Sequence, residues 1–487
     1  MRWKGFTLSL LLIAGFSTLD RAAFATTPVV TVTSPTGGSA DSSPVNFIAS
    51  ASSPDCDKGI AAMRIYTAPG VGAYTTDSDS LNVDLALTAG TYDTVVQAWD
   101  NCGGVGKTPV TITVSGNTLP PPKFVYSSDN AGNLVYEYLV DASTGALTAT
   151  TQGSISTLAG PERIASDHGG FRLYVSSAAG NGSGALAAYF INRDNGTLQD
   201  VPGSPGALTG NPTAVVVHPS GDFVYVTTTA GSSNQTNYIY AFKVQSNGSL
   251  TAVSGSPFAS RYWPTQAVID STGSYLYTAT YNAYVEAYDI NKSTGALTAM
   301  AGQPFAIPAY PNDNDCASGA WDIAFAQSGQ HLVVPEYACS GASAVFEVGS
   351  KGSLSNAPGS PVIDPVPDPQ QPFGLQAIAV DPLNRWWYLY EYFPGELPSM
   401  DLATLTAQDT AERSSTNCGD IIRADPSGKF AYAIGNTTGN GVCGVGPGAI
   451  LGFSVNQSNG TLTPLSGSPF ASPNADYQYE DGLVVTQ

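Results

Sequence analysis

The stretch His218-Pro219-Ser220-Gly221-Asp222-Phe223-Val224-Tyr225-Val226 decides the fold. Its first half is turn chemistry: proline presets one backbone angle and glycine supplies a positive one. Its second half is a run of β-branched and aromatic residues, the composition of a strand. The turn returns as Asp425-Pro426-Ser427-Gly428 and Ser271-Thr272-Gly273. The strand returns as Phe124-Val125-Tyr126, Leu173-Tyr174-Val175, Leu276-Tyr277, Leu332-Val333-Val334, Trp387-Tyr388-Leu389 and Ala431-Tyr432-Ala433. The copies lie about 50 residues apart, the spacing of propeller blades. After most copies comes an alternating strand such as Tyr238 to Val244, then a hairpin such as Asn195-Gly196, Asn247-Gly248 or Asn459-Gly460, then a short outer strand. Seven units are counted, and the first lacks a leading strand that Leu483-Val484-Val485 can supply. The expectation is an all-β chain with a seven-bladed β-propeller over 124–487, closed by its C-terminal strand. Closure removes exposed strand edges.

Composition agrees. The 487 residues include 52 Gly, 34 Pro and 25 Tyr, with 11% charged and 42% hydrophobic residues. That is too apolar for a disordered chain. The formal charge of −20 argues against nucleic acid as a partner, since tracking phosphates needs a basic stripe. At the N-terminus Arg2 and Lys4 precede an apolar run from Phe6 to Leu19, and Ala23-Phe24-Ala25 is an A-x-A cleavage signal. Residues 1–25 read as a secretory signal peptide. Cleavage after Ala25 removes Arg2, Lys4, Arg21 and Asp20, which takes the charge from −20 to −22. No later stretch is long and apolar enough to span a bilayer. The expectation is a secreted monomer: extracellular, periplasmic or at the cell surface.

Between the signal and the propeller, residues 26–114 hold six or seven short alternating runs, among them Val45 to Ile48, Met63 to Tyr66 and Tyr92 to Trp99. They predict a β-sandwich. Ala89 to Asp100 resembles the penultimate strand of bacterial Ig-like modules. Residues 115–123, with Pro120-Pro121-Pro122, read as a stiff linker. Six cysteines suit an oxidising compartment. Cys56 and Cys102 fall in loops, so their bond would clamp one end of the sandwich. Cys316 with Cys339, and Cys418 with Cys443, occupy the same two loops of blades 5 and 7, which supports pairing each couple locally.

The blades resemble YVTN-type repeats and the seven-bladed lactonase family of 6-phosphogluconolactonase and carboxymuconate cyclase. The resemblance rests on His218 to Val226 and on outer strands of the Gly145-Ala146-Leu147-Thr148 type, and covers about three-quarters of the chain. It implies an Arg-His pair entering an inner strand and an Asn-Glu ending the next. Aligned on Ile323-Ala324-Phe325, the Arg-His positions hold Trp321 and Asp322. The Glu is kept as Glu336, behind Pro335 rather than Asn. Glu336 and Asp322 are therefore the catalytic candidates.

Blade register adds a column at the propeller mouth: Glu162, Thr213, Thr265, Trp321, Gln376 and Asp420, with Asp481 in the closing strand. Blades 7, 1 and 2 are neighbours, so Asp420, Asp481 and Glu162 would converge, either as Ca²⁺ ligands or as an acidic rim neutralised by Arg163 and Arg423. No other cofactor is implied. Second-strand ends add Asp129, Glu336 and Glu391. Tyr262, Trp263, Trp321 and Tyr479 would floor a carbohydrate-like site or pack between blades. The ligand-binding set is Glu162, Arg163, Trp321, Glu391, Asp420 and Asp481. His168, His218 and His331 are too far apart for a catalytic or metal trio. Two functions follow: a binder of a small molecule, glycan or protein at the mouth, which the missing Arg-His pair favours, and a lactonase-like hydrolase or cyclising enzyme acting on an uncharged lactone.

Overall fold

Turn residues punctuate this chain so often that almost every ordered segment is a strand. The structure is a computed structural model. It describes residues 27–487 except 42–44, 69–70, 86, 88–89, 115–119, 179–181, 231–235, 309–318, 327–329, 337–341, 364–374, 392–396, 402–405, 412–418, 437–447 and 472–481. Among the described residues the helical content is a single 3-10 turn, Ser350–Gly352, and no helix is long and apolar enough to cross a membrane.

Two sheets form first. Val29–Ser34, Val45–Ser52 and Ser80–Leu85 make one; Ala40–Asp41, Val105–Val114, Gly90–Asp100, Ile60–Ala68 and Val71–Thr76 make the other. Their inner faces share one core, in which Phe47, Met63, Ile65, Val96, Ala98 and Ile112 are completely buried. The alternation of these residues with exposed ones is what a half-buried strand requires. The Cys56–Cys102 disulfide, with Cα atoms 5.9 Å apart, ties the loop between the sheets to the turn after Gly90–Asp100. It is an end clamp, as its loop positions predicted. The other two proposed bonds, Cys316–Cys339 and Cys418–Cys443, lie outside the described residues.

Seven further sheets follow, one per repeat. Their innermost strands are Leu483–Thr486 for blade 1, then Pro161–Ser166, Asn211–Val217, Pro264–Ile269, Ala324–Ala326, Leu375–Val380 and Gly419–Ala424 for blades 2 to 7. The inner strands of blades 2, 3 and 4 contact one another in turn, as do those of blades 5, 6 and 7, and the closing strand touches the inner strands of blades 7 and 2. The closing strand runs antiparallel to Phe124–Asp129, with Leu483 opposite Ser127 and Thr486 opposite Phe124. In blades 2 to 5 and 7 the outermost position is split into two short strands, both paired to the third strand.

The blades interlock through a device that the repeat carries in its second strand. An aromatic ring packs onto the turn glycine of the next blade, and a tyrosine two residues later donates its hydroxyl to that glycine's carbonyl. Tyr126 reaches Gly196 at 2.8 Å, Tyr225 reaches Gly295 at 3.0 Å, Tyr277 reaches Gly352 at 2.7 Å, and Tyr432 reaches Gly145 at 2.8 Å across the closing seam. At Gly145, with φ +74, a Cβ would come within 2.6 Å of the Phe430 ring, so the contact itself requires glycine.

The sandwich meets the propeller on its turn face, where Gln330 Nε2 donates to Gly72 O at 3.3 Å. Burial, and then Asp270, push the hydroxyl pKa of Tyr74 upward at the same contact. The inner strands of blades 2 to 7 are entered from the opposite face.

Candidate active site

Each inner strand of blades 2 to 7 is irregular at its entry. The register slips by one residue between Pro161 and Ile164, Pro212 and Ala214, Pro264 and Gln266, Leu375 and Ala377, and Gly419 and Ile421. In blade 5 the Ala320–Glu336 bridge and the Ala324–Val333 pair enclose the same extra residue. A bulge re-aims a side chain at a strand end. The residues between these paired positions include the column read from the sequence: Glu162, Thr213, Thr265, Trp321, Gln376 and Asp420. Side chains of Gln376, Glu391 and Asp420, and the whole of Asp481 and Tyr479, lie outside the described residues. Of the proposed Ca²⁺ trio, Glu162 alone has a described side chain, buried at 4% exposure. The Gly482 backbone packs so closely there that a Cβ would sit 2.8 Å from Glu162 O.

Three charged side chains from separate blades are coupled. Asp322 accepts hydrogen bonds from its neighbour Ile323 N at 2.8 Å and from Ile378 N of blade 6 at 3.0 Å. Arg423 of blade 7 places Nη1 3.8 Å from Asp322 Oδ2. Burial pushes the Asp322 carboxyl up, and Arg423, the two amides and Arg163 pull it back without cancelling the rise. Burial likewise lowers Arg423, Asp322 opposing and Arg163 adding to the effect. Arg423 keeps 30% side-chain exposure among these partners, as expected of a group lining an internal channel. Arg163 is held by donating Nε to Thr213 O at 3.1 Å. Two guanidiniums thus face one carboxylate. Asp322, predicted as catalytic, has Oδ1 bound to the amide of its own neighbour Ile323 and Oδ2 bound to Ile378 N, which joins blades 5 and 6.

Glu336 differs. It ends the second strand of blade 5, is completely buried, and neither carboxylate oxygen has a hydrogen-bond partner among the described residues. Burial alone lifts its pKa to about 7. Its backbone bridges Ala320, the residue before Trp321. An unpartnered buried carboxyl poised near neutrality is a signature of acid–base function. Asp129, its counterpart in blade 1, is instead satisfied by Gly132 N and Tyr136 OH. The other deep acids are also spoken for: Glu137 by Thr150 and Leu198 N, Glu286 by Ser260, Tyr288 and two backbone amides. His218 is a turn residue bound to Ser220 and Gly273, away from the mouth.

The aromatic candidates separate into two groups. Tyr262 stacks on Tyr284 at 4.6 Å as loop packing. Trp263 and Trp321 both contact Tyr281, a residue that sequence reading missed because no repeat position marks it.

A seven-bladed all-β ring with its acid–base candidate at a strand end by the mouth has the lactonase-propeller architecture. Residues 117–310 match the model of the family described as Lactonase, 7-bladed beta-propeller. Among solved structures, the chain is similar to a candidate 6-phosphogluconolactonase of Bacteroides uniformis, with 16% identity and a TM-score of 0.59 over 74% of this chain and 100% of that one. It is also similar to the periplasmic gluconolactonase PpgL of Pseudomonas aeruginosa, with 15% identity and a TM-score of 0.58 over 75% and 99%. No curated protein matches the chain by sequence.

Proposed function

We propose that this protein is an exported hydrolase of uncharged sugar lactones. The observation that carries the reading is Glu336: a buried carboxyl with no hydrogen-bond partner among the described residues and a pKa of about 7, at the end of the second strand of blade 5. As carboxylate it takes a proton from water, whose oxygen attacks the lactone carbonyl carbon. The tetrahedral oxyanion then collapses, the bond to the ring oxygen breaks, and Glu336 returns the proton to the departing alkoxide. The product is a hydroxy acid, which ionises and releases a proton to solvent. Arg163 and Arg423, from blades other than the one that carries the family's Arg-His pair, would balance the charge of the oxyanion and of the product carboxylate. The gluconolactonase name of a structural neighbour supports this substrate class. The leader at 1–25 and the Cys56–Cys102 bond support export. We assign 26–114 as an Ig-like spacer, 115–123 as linker and 124–487 as the catalytic propeller.

Proton release from glucono-δ-lactone, measured by pH-stat against the spontaneous rate, tests the proposal. Glu336→Gln is expected to lose about 10²–10⁴-fold in kcat, the usual worth of a general base. This reverses the order that the sequence alone suggested. The non-catalytic reading keeps one supporting observation: Trp321 and Asp322 stand in the Arg-His positions, and Asp322 is tied to backbone amides. No proton release, together with a melting temperature raised by a sugar or by Ca²⁺, would favour binding.

A further inference from the structure

Among the described residues the large exposed aromatics are Phe171, which is covered by the Arg193 guanidinium at 4.6 Å, and the pair Trp263 and Tyr281. Trp263, at 47% exposure, and Tyr281, at 42%, touch each other. Their ring centroids lie 5.8 Å apart, and Tyr281 meets Trp321 at a further 5.8 Å. Trp263 enters the inner strand of blade 4, and Tyr281 follows the second strand Tyr275–Thr280 of the same blade. Both positions open on the face where Glu336 ends its strand. The row therefore runs from the outer rim through Tyr281 to Trp321, whose preceding residue bridges Glu336.

The loops hold the rings in place without burying them. Tyr281 N donates to Trp263 O at 2.9 Å, and Trp263 N donates to Asn282 Oδ1 at 3.1 Å. Gly319 lies beneath, where a Cβ would stand 2.9 Å from Tyr281 O. Packing of this loop is already served by the Tyr262–Tyr284 stack, so Trp263 and Tyr281 are not needed for it. Rings fixed in water pay hydration with no return in the folded chain, and such exposure marks a ligand surface. The patch is purely aromatic: the exposed aliphatics Val29, Ile48, Val105 and Leu139 lie elsewhere in the chain. That composition suits the C–H faces of a pyranose better than a lipid or an apolar protein face. Among the described residues no cation sits over Trp263; the nearby Arg261 lies over Tyr262 at 5.1 Å, so an anionic sugar gains nothing from this surface.

We propose that this row is a glycosyl subsite: the substrate is an uncharged aldonolactone bearing at least one further β-linked pyranose, stacked on Tyr281 and Trp263 while the lactone ring lies against Trp321 near Glu336. The proposal rests on the hydrolase reading for its lactone end only. The test compares glucono-δ-lactone with cellobiono-δ-lactone, and follows tryptophan fluorescence on titration with cellotriose. The wild type should favour the disaccharide lactone about tenfold through KM, and Trp263→Ala should bring that ratio close to one, since an aromatic contact is worth about five- to tenfold in affinity. Cellotriose should quench the wild type and not the variant, with circular dichroism confirming that the variant folds. Turnover of both lactones at equal efficiency, with no quench, overturns the subsite and leaves the hydrolase standing. A quench abolished by Trp263→Ala, with neither lactone hydrolysed, supports the sugar row and overturns the hydrolase.

Discussion

Glu336 is costly to ionise where it stands, because no described group replaces the water it has lost. Its ordinary pKa of 4.5 rises to about 7, with burial as the cause. Between these values the unfolded chain releases a proton that the folded chain keeps. Stability therefore falls as pH rises from about 4.5 to about 7 and is level above that, a loss on the order of 3 kcal/mol. Glutamine carries no such charge. The wild type and Glu336→Gln should melt together at pH 4, and the variant should melt higher at pH 8. Parallel melting curves across the range would show that the carboxylate has a partner or is solvated. If Glu336 is also the base, kcat/KM should rise with pH through about 7 in the wild type. This residue was legible because the family resemblance implies a Glu there and its strand-end position repeats around the ring. Tyr281 was not, because its importance lies in a contact between two loops far apart in sequence. Nor was the bond from Ile378 N to Asp322, which exists only once blades 5 and 6 are side by side.

The second strands, six of the seven with a tyrosine, were visible as a repeat, yet the reason for the tyrosine was not. The hydroxyl bond to the next blade forms where the residue two positions earlier is Phe124, Phe223, Tyr275 or Phe430, and the ring of each lies against the turn glycine. Blade 2 has Arg172 in that slot. Blade 6 has Trp386, whose larger ring stands 2.5 Å from the point a Cβ on Gly460 would occupy. In those two blades the hydroxyls of Tyr174 and Tyr388 are buried with no hydrogen-bond partner among the described residues. A bonded and an orphaned hydroxyl respond oppositely to removal. Tyr432→Phe strips the bond to Gly145 and leaves a buried carbonyl bare, costing about 1–3 kcal/mol and lowering the melting temperature. Tyr388→Phe removes a buried polar atom that bonds to none of the described residues, so it should be neutral or stabilising. Thermal melts of the two variants, run side by side, decide it; equal losses would mean that ring packing rather than the hydroxyl joins the blades. The outer corners Gly203-Ser204-Pro205, Gly255-Ser256-Pro257, Gly359-Ser360-Pro361 and Gly467-Ser468-Pro469 also recur, a repeat that the sequence reading passed over. Their function appears only in three dimensions, where Ser204, Ser256, Ser360 and Ser468 accept hydrogen bonds from third-strand amides.

The whole molecule sets a field that the mouth must work within. The chain carries a formal −20, while among the described residues Arg163 and Arg423 face Asp322 from other blades, two guanidiniums about one carboxylate. The global and the local charges act over different ranges. At about 0.15 M salt the screening length is about 8 Å, so the global charge governs approach and the guanidiniums govern only what has already arrived. At low salt the negative field should slow the encounter with an anionic lactone and leave an uncharged one unaffected. For 6-phosphogluconolactone, kcat/KM is therefore expected to rise severalfold between about 0.01 and 0.3 M NaCl, while the value for glucono-δ-lactone stays flat. Stopped-flow proton release at matched pH measures both. A fall with salt for the phosphorylated substrate would mean that Arg163 and Arg423 capture its phosphate directly, and that the mouth is built for an anion despite the acidity around it.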